Sequence, residues 1–224
     1  MPRTPFELQA KLDDDLIWRK KELTLLQAQI ESPTARSKGL QRALIRCGVA
    51  VLYAHWEGYI KKAAGEFLEF VSAQRPNAGD LTSSLLTLAW RKAAFRAEEV
   101  KPKQLGGITE FFRTKMNSRM PYLDGSAVNT ESNLSSKVLR EILWSIGLDD
   151  APFLLKSQLI DEKLLGKRNH IAHGQYLDVE FDDYVLLRSE ILGMLEAIKT
   201  GLLNSAVNGE YLLRPPAIPA PITL

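Results

Sequence analysis

One cysteine occurs in the 224 residues, so no internal disulfide and no thiolate cage for zinc can form. That residue, Cys47, lies in the apolar run "RCGVAVLYA" and reads as a small buried hydrophobe. No stretch of about 18 apolar residues exists, which excludes a membrane-spanning helix. The first residues, "MPRTPFELQA", lack the apolar segment of a secretory signal, and a cytoplasmic location is expected. Strand-like alternation is scarce and no repeat shows at solenoid periods, which argues against sandwiches, barrels and solenoids. There are three histidines, and no acidic cluster lies close to them, so neither a metal site nor a cofactor is expected.

What the chain does contain is a helical pattern from end to end. Hydrophobic residues make up 45% and charged residues 25%, enough for a buried core. Charge is uneven: residues 1–120 carry a net +7 and residues 121–224 a net −5. That asymmetry suits a basic face meeting an anionic partner. A first helix is predicted over 5–30, with Leu8, Leu12, Leu16, Leu23, Leu26 and Ile30 on one side. A second runs from about 34 to 74, with Leu40, Leu44, Cys47, Val51 and Ala54 inward, then Ala63, Phe67 and Val71. Gly48, Gly58 and Gly65 inside it each cost about 0.5–1 kcal/mol relative to alanine, so together they predict close backbone approach to neighbouring helices. Shorter helices follow over about 81–98, 105–118 and 134–147, with a loop at 119–133. One helix is predicted over 152–173, closed by Gly174, and a last over about 180–205. The expected organisation is an N-terminal helical extension (1–33), a helical-bundle domain (34–205) and a flexible, disordered proline-rich tail (206–224).

The stretch "LLGKRNHIAHGQY", residues 164–176, concentrates unusual chemistry. In a helix, Asn169 and His173 lie about 40° apart, and Arg168 about 140° from His173. Ile171 can face the core. Arginine offers a planar donor fork to phosphate and stays charged. Histidine titrates near neutrality and can move a proton at a reacting oxygen. Asparagine can orient either. These groups suit metal-free cleavage of RNA, which brings its own nucleophile, the 2′-hydroxyl. A solvated helix turn would carry the same residues, and His170 reads equally as a surface histidine.

Supporting candidates lie upstream. His55 and Glu57 flank Trp56 in the long helix; they either make local hydrogen bonds at its edge or pack behind the motif helix and orient Arg168 or His173. Between residues 90 and 119, Trp90, Phe95, Phe111 and Phe112 interleave with basic residues. Core aromatics with solvated charge explain this pattern, while Arg91, Lys92 and Arg96, with Lys167 beside the motif, are candidates for RNA contact.

"RNHIAHG" resembles the motif of the HEPN superfamily, an arginine and a polar residue followed by a histidine after four to six positions. "VLYAHWEGYIKKAA" (51–64) and "NTESNLSSKVLREILWSIGL" (129–148) resemble segments of a prokaryotic subfamily tied to defence and toxin loci. The resemblance covers residues 35–205. It implies an all-α up-and-down helical bundle, here with an additional N-terminal helix, that forms a homodimer with a composite active site. It implies a metal-independent endoribonuclease leaving a 2′,3′-cyclic phosphate, with Arg168 on the scissile phosphate, His173 as acid or base, and Asn169 supporting the geometry. Non-catalytic members bind RNA, nucleotides or proteins, and an antitoxin or defence-system partner is a further implied contact. In one branch a modified tyrosine lies two residues after the histidine; here Gln175 holds that place and Tyr176 follows it.

Overall fold

Thr4 starts the first helix: its hydroxyl accepts the Glu7 N–H at 3.1 Å, and Pro5 takes the first helical position. The computed structural model describes residues 1–32, 37–94, 106, 109–110, 112–129 and 133–213. Among them the fold is all-α with no named strand, and two isolated bridges, Asn77 with Arg119 and Leu81 with Leu212, tie connections together. Helix α1 spans Pro5–Glu31 and α2 Lys38–Gln74; α3 spans Ser83–Ala94, α4 Ser136–Ser145 and α5 Ala151–Leu154. A π-helical segment, Leu159–Gly166, leads into α6, Lys167–Ala172, and α7 covers Phe181–Asn208. No helix is long and apolar enough to cross a membrane among the described residues.

Helix α2 is the axis of the bundle, with α1 and α7 packed along it. α1 buries Leu8, Leu12, Leu16, Leu23 and Ile30, the stripe its spacing predicts. Each fully buried leucine contributes roughly 1.5–3 kcal/mol. Four of these leucines enter the main core beside Trp56, Tyr59, Phe67, Leu139, Ile191 and Leu195. A second, smaller cluster joins Ile30, Ile45, Val49, Val179 and Tyr184, and Ile171 packs against it as expected.

The expected inner face of α2 is corrected by the packing. Leu40, Cys47 and Ala54 are exposed, and Leu44 and Val51 are half-buried. Ile45, Val49, Leu52, Trp56 and Tyr59 are buried instead, followed by Ala63, Phe67 and Val71 as expected. Cys47 is therefore not a buried hydrophobe. The reason is physical: this stretch is apolar nearly all round, so its periodicity does not choose the face that meets α1 and α7. Of the three glycines, Gly65 meets neighbouring backbone as expected, whereas Gly48 and Gly58 make room for side chains instead. An added Cβ would lie 2.8 Å from the Tyr184 ring at Gly48, 2.9 Å from Arg19 at Gly58, and 2.9 Å from the Gly125 backbone at Gly65.

The single helix expected over 152–173 is broken. α5 ends at Leu154, and the backbone then adopts the wider i→i+5 turn before α6. Gly166 closes that turn, where a Cβ would come within 3.2 Å of the Asp161 carbonyl. Gly174 terminates the segment with φ +70, as expected. In the last helix Leu186 is exposed, whereas Tyr184, Leu187, Ile191, Leu195 and Ile198 are buried. That helix runs on to Asn208, past the expected end at 205, and Tyr211 packs edge-on to Phe70. The tail from 214 onward lies outside the described residues.

Candidate functional site

Arg168 lies just after the wide turn and packs over Tyr53 of α2. Asp161 accepts the Ser136 N–H at 2.7 Å and the Ser136 hydroxyl at 2.5 Å, fastening the π segment to the first turn of α4. Asn133 stands just before that turn. Arg168 is half-buried, and its Nη1 donates to Oδ1 of Asn133 and to Oδ1 of Asn169, both at 2.9 Å. Its guanidinium carbon lies 4.4 Å from the centre of the Tyr53 ring, a cation–π contact. Nε and Nη2 have no protein acceptor among the described residues. A fork so oriented can still receive a phosphate.

Tyr53 is fixed in turn. Its hydroxyl accepts the buried Leu134 N–H at 2.8 Å. Burial pushes its pKa up to about 12; the Leu134 bond and Arg168 oppose the shift, and Glu57 adds to it. The phenol therefore stays neutral under Arg168. Glu57, one helical turn further on and half-buried, reaches this site through Tyr53 rather than through His173.

Asn169 links the two ends of the motif. Its side chain accepts from Arg168, and its carbonyl accepts the His173 N–H at 3.0 Å. His173 caps α6 with φ −86 and ψ 10, and its side chain is exposed. Half-buried Arg168 packs over Tyr53, while the His173 side chain is exposed to solvent. His170 is exposed, with Nδ1 2.8 Å from the Gly166 carbonyl, so Nδ1 donates there and Nε2 is the acceptor of the neutral ring. Lys167 is half-buried. The loop after His173 is held to α2 by Arg46, which donates to the Gln175 carbonyl at 3.1 Å, and by the Arg42–Asp178 pair at 3.2 Å. Tyr176 on that loop is 74% exposed.

His55 faces α1. Its Nε2 lies 2.7 Å from Glu22, off the N–H direction, and Nδ1 lies 3.4 Å from Arg19. Burial lowers its pKa, Glu22 works against that, and Arg19 adds to it. Its contacts therefore serve the α1–α2 interface. Arg91 is exposed on α3; the side chain of Lys92 and all of Arg96 lie outside the described residues. Phe112 is exposed, against the core placement its spacing suggests, and Phe95 and Phe111 lie outside the described residues. Among the described residues no three His, Cys, Asp or Glu side chains converge as a metal site requires. Sequence reasoning missed Tyr53, Asn133 and Asp161. Tyr53 had one available signal: a phenol within an apolar helix must find a polar partner.

The RiboL-PSP-HEPN family model matches residues 14–204, most of the chain. This chain belongs to the RiboL-PSP-HEPN family. Neither the curated proteins nor the solved structures gave a match. HEPN domains are often ribonucleases, often bind RNA and often dimerise, so a nuclease or RNA-binding role is the general expectation for this one. The HEPN match begins inside α1 and ends inside α7, so the helices around Arg168 all lie within it.

Proposed function

We propose that this HEPN chain is a metal-independent endoribonuclease that works as a homodimer and serves as a toxin or anti-phage defence effector. The carrying observation is Arg168, oriented by Asn133, Asn169 and Tyr53 with two donor nitrogens left over among the described residues, on a helix capped by exposed His173. In the reaction the RNA 2′-hydroxyl attacks the adjacent phosphorus. Its proton passes to a basic imidazole, and Arg168 stabilises the charge that builds on the phosphoryl oxygens. The bond to the 5′-oxygen breaks, that oxygen takes a proton from an imidazolium, and a 2′,3′-cyclic phosphate and a 5′-hydroxyl result. Asn169 is a positioning residue for both.

The homodimer is supported by the exposed edge of α2. Leu40, Ala43, Cys47 and Ala54 repeat at intervals of three, four and seven, the seam of a helix pair. Arg42 and Arg46 tether the motif loop to this same end of α2. Pairing two such edges brings two motif loops near a two-fold axis, where His173 of one copy complements Arg168 of the other.

A binding-only role has its own support: Nη1 of Arg168 is already taken by two amide oxygens, as in a structural arginine. One assay separates the readings. Purified wild type, Arg168→Ala and His173→Ala are incubated with RNA in chelator, and product ends are analysed. The nuclease reading expects cyclic-phosphate ends from wild type and a loss of roughly 10²–10⁴-fold in each variant. Binding without cleavage supports the second reading, and neither binding nor cleavage sinks both. Growth arrest on expressing wild type, absent with His173→Ala, tests the toxin or defence role.

A further inference from the structure

A cleft of about 350 Å³ lies between α3 and α4, within the size range of small-molecule sites. Its floor is apolar: Leu88, Val128, Val138 and Ile142 are all buried. Its rim carries Arg91 from α3 and Lys137, Glu141 and Trp144 from α4. On α4 those three residues lie within about 60° of one another, so a phosphate-binding amine and an indole share one face, about 10 Å apart. Trp144 is 53% exposed, an unusual place for the largest aromatic side chain. Neither Arg91 nor Lys137 has a carboxylate partner among the described residues, although Glu141 sits on the same rim. α3 and α4 run antiparallel, since Gly147 beyond the end of α4 meets Ser84 at the start of α3. The two cations therefore share the end of the cleft nearest Asn133, four residues before Lys137.

We propose that this cleft is the base-binding subsite for single-stranded RNA, with an unpaired nucleobase stacked on Trp144 and its neighbouring phosphate held by Arg91 and Lys137. The inference rests on the ribonuclease or RNA-binding reading of the Arg168 site and adds what lies beside that site. An apolar floor under an exposed indole accepts any flat base, and flanking cations add a sequence-independent grip on the backbone. Base-paired RNA hides those faces, so unpaired strands are the expected substrate.

The test uses the full chain carrying Arg168→Ala, so that RNA is not consumed, and labelled oligoadenylate and oligouridylate of about ten nucleotides. RNA should quench tryptophan fluorescence, and the quench should vanish in Trp144→Leu. Affinity should fall roughly 5- to 100-fold in Trp144→Leu and recover partly in Trp144→Phe. Arg91→Ala with Lys137→Ala should lower the slope of log affinity against log salt by about one. A duplex of the same sequence should bind more weakly. If RNA binds with the same affinity, or chains with Arg168 intact cleave it at the same rate, whatever stands at 91, 137 and 144, the cleft proposal falls and the Arg168 reading stands. If wild type neither binds nor cleaves single-stranded RNA, both fall.

Discussion

The Leu134 N–H donates into the Tyr53 hydroxyl while the same ring lies under Arg168, so one residue supports both the entry to α4 and the Arg168 guanidinium. Tyr53→Phe keeps the ring but leaves a buried N–H without an acceptor. It should cost about 1–3 kcal/mol, read as a lower urea midpoint. A second residue contributes to acid stability. Glu66 is 3% exposed, and its carboxylate meets Lys11 at 2.6 Å and Lys62 at 2.5 Å. Burial pushes its pKa up, yet the two ammonium groups outweigh burial and hold it below the ordinary carboxylate value of 4.5. The folded state thus binds this proton less readily than the unfolded chain does. Stability from Glu66 is fully present above about pH 4.5 and is lost as pH falls through the lower folded value. Denaturant midpoints between neutral and acidic pH should drop below pH 4.5 in wild type and drop less in Glu66→Gln, which starts lower. Arg168 and Asn169 were legible as a candidate site because their chemistry sits in one short string. Asn133 and Tyr53 were not, since they come from distant segments and only folding brings them to the guanidinium.

At the scale of elements, the π segment and α4 hold one another through a single carboxylate. Asp161→Ala removes two hydrogen bonds to a charged acceptor. It should lower stability by roughly 1.5–3 kcal/mol and speed amide exchange in the first turn of α4 before the rest of the bundle opens. Unchanged exchange there would show that Asp161 does not set this junction. The approach of Gly65 on α2 to the Gly125 backbone suggests a matched pair of variants. Gly65→Ala places a methyl against the Gly125 backbone and should cost about 1–3 kcal/mol, because backbone cannot step aside as a side-chain tip can. Gly193→Ala meets nothing within 4 Å and should gain roughly 0.5–1 kcal/mol in thermal unfolding. Three glycines in one long helix announced crowding. The wider turn at 159–166 left no mark, because side-chain pattern does not distinguish an i→i+5 from an i→i+4 hydrogen bond.

For the whole molecule, the all-α bundle was legible from periodicity and the scarcity of strand pattern. The orientation of α2 was not, because a helix apolar all round buries whichever side its neighbours reach first. That leftover side carries the dimer proposal. Ala54→Arg adds a charge to an exposed edge position without touching the core. It should shift the mass in light scattering from two chains to one and abolish cleavage, while the melting behaviour of the single chain persists. A fully active monomer would remove the composite site from consideration. The edge also carries a chemical reporter. Cys47 is the sole thiol of the chain, and it is exposed when the chain stands alone. If two copies meet along α2, a maleimide should label this thiol slowly in concentrated solution and faster on dilution, so labelling kinetics alone would measure the lifetime of the pair.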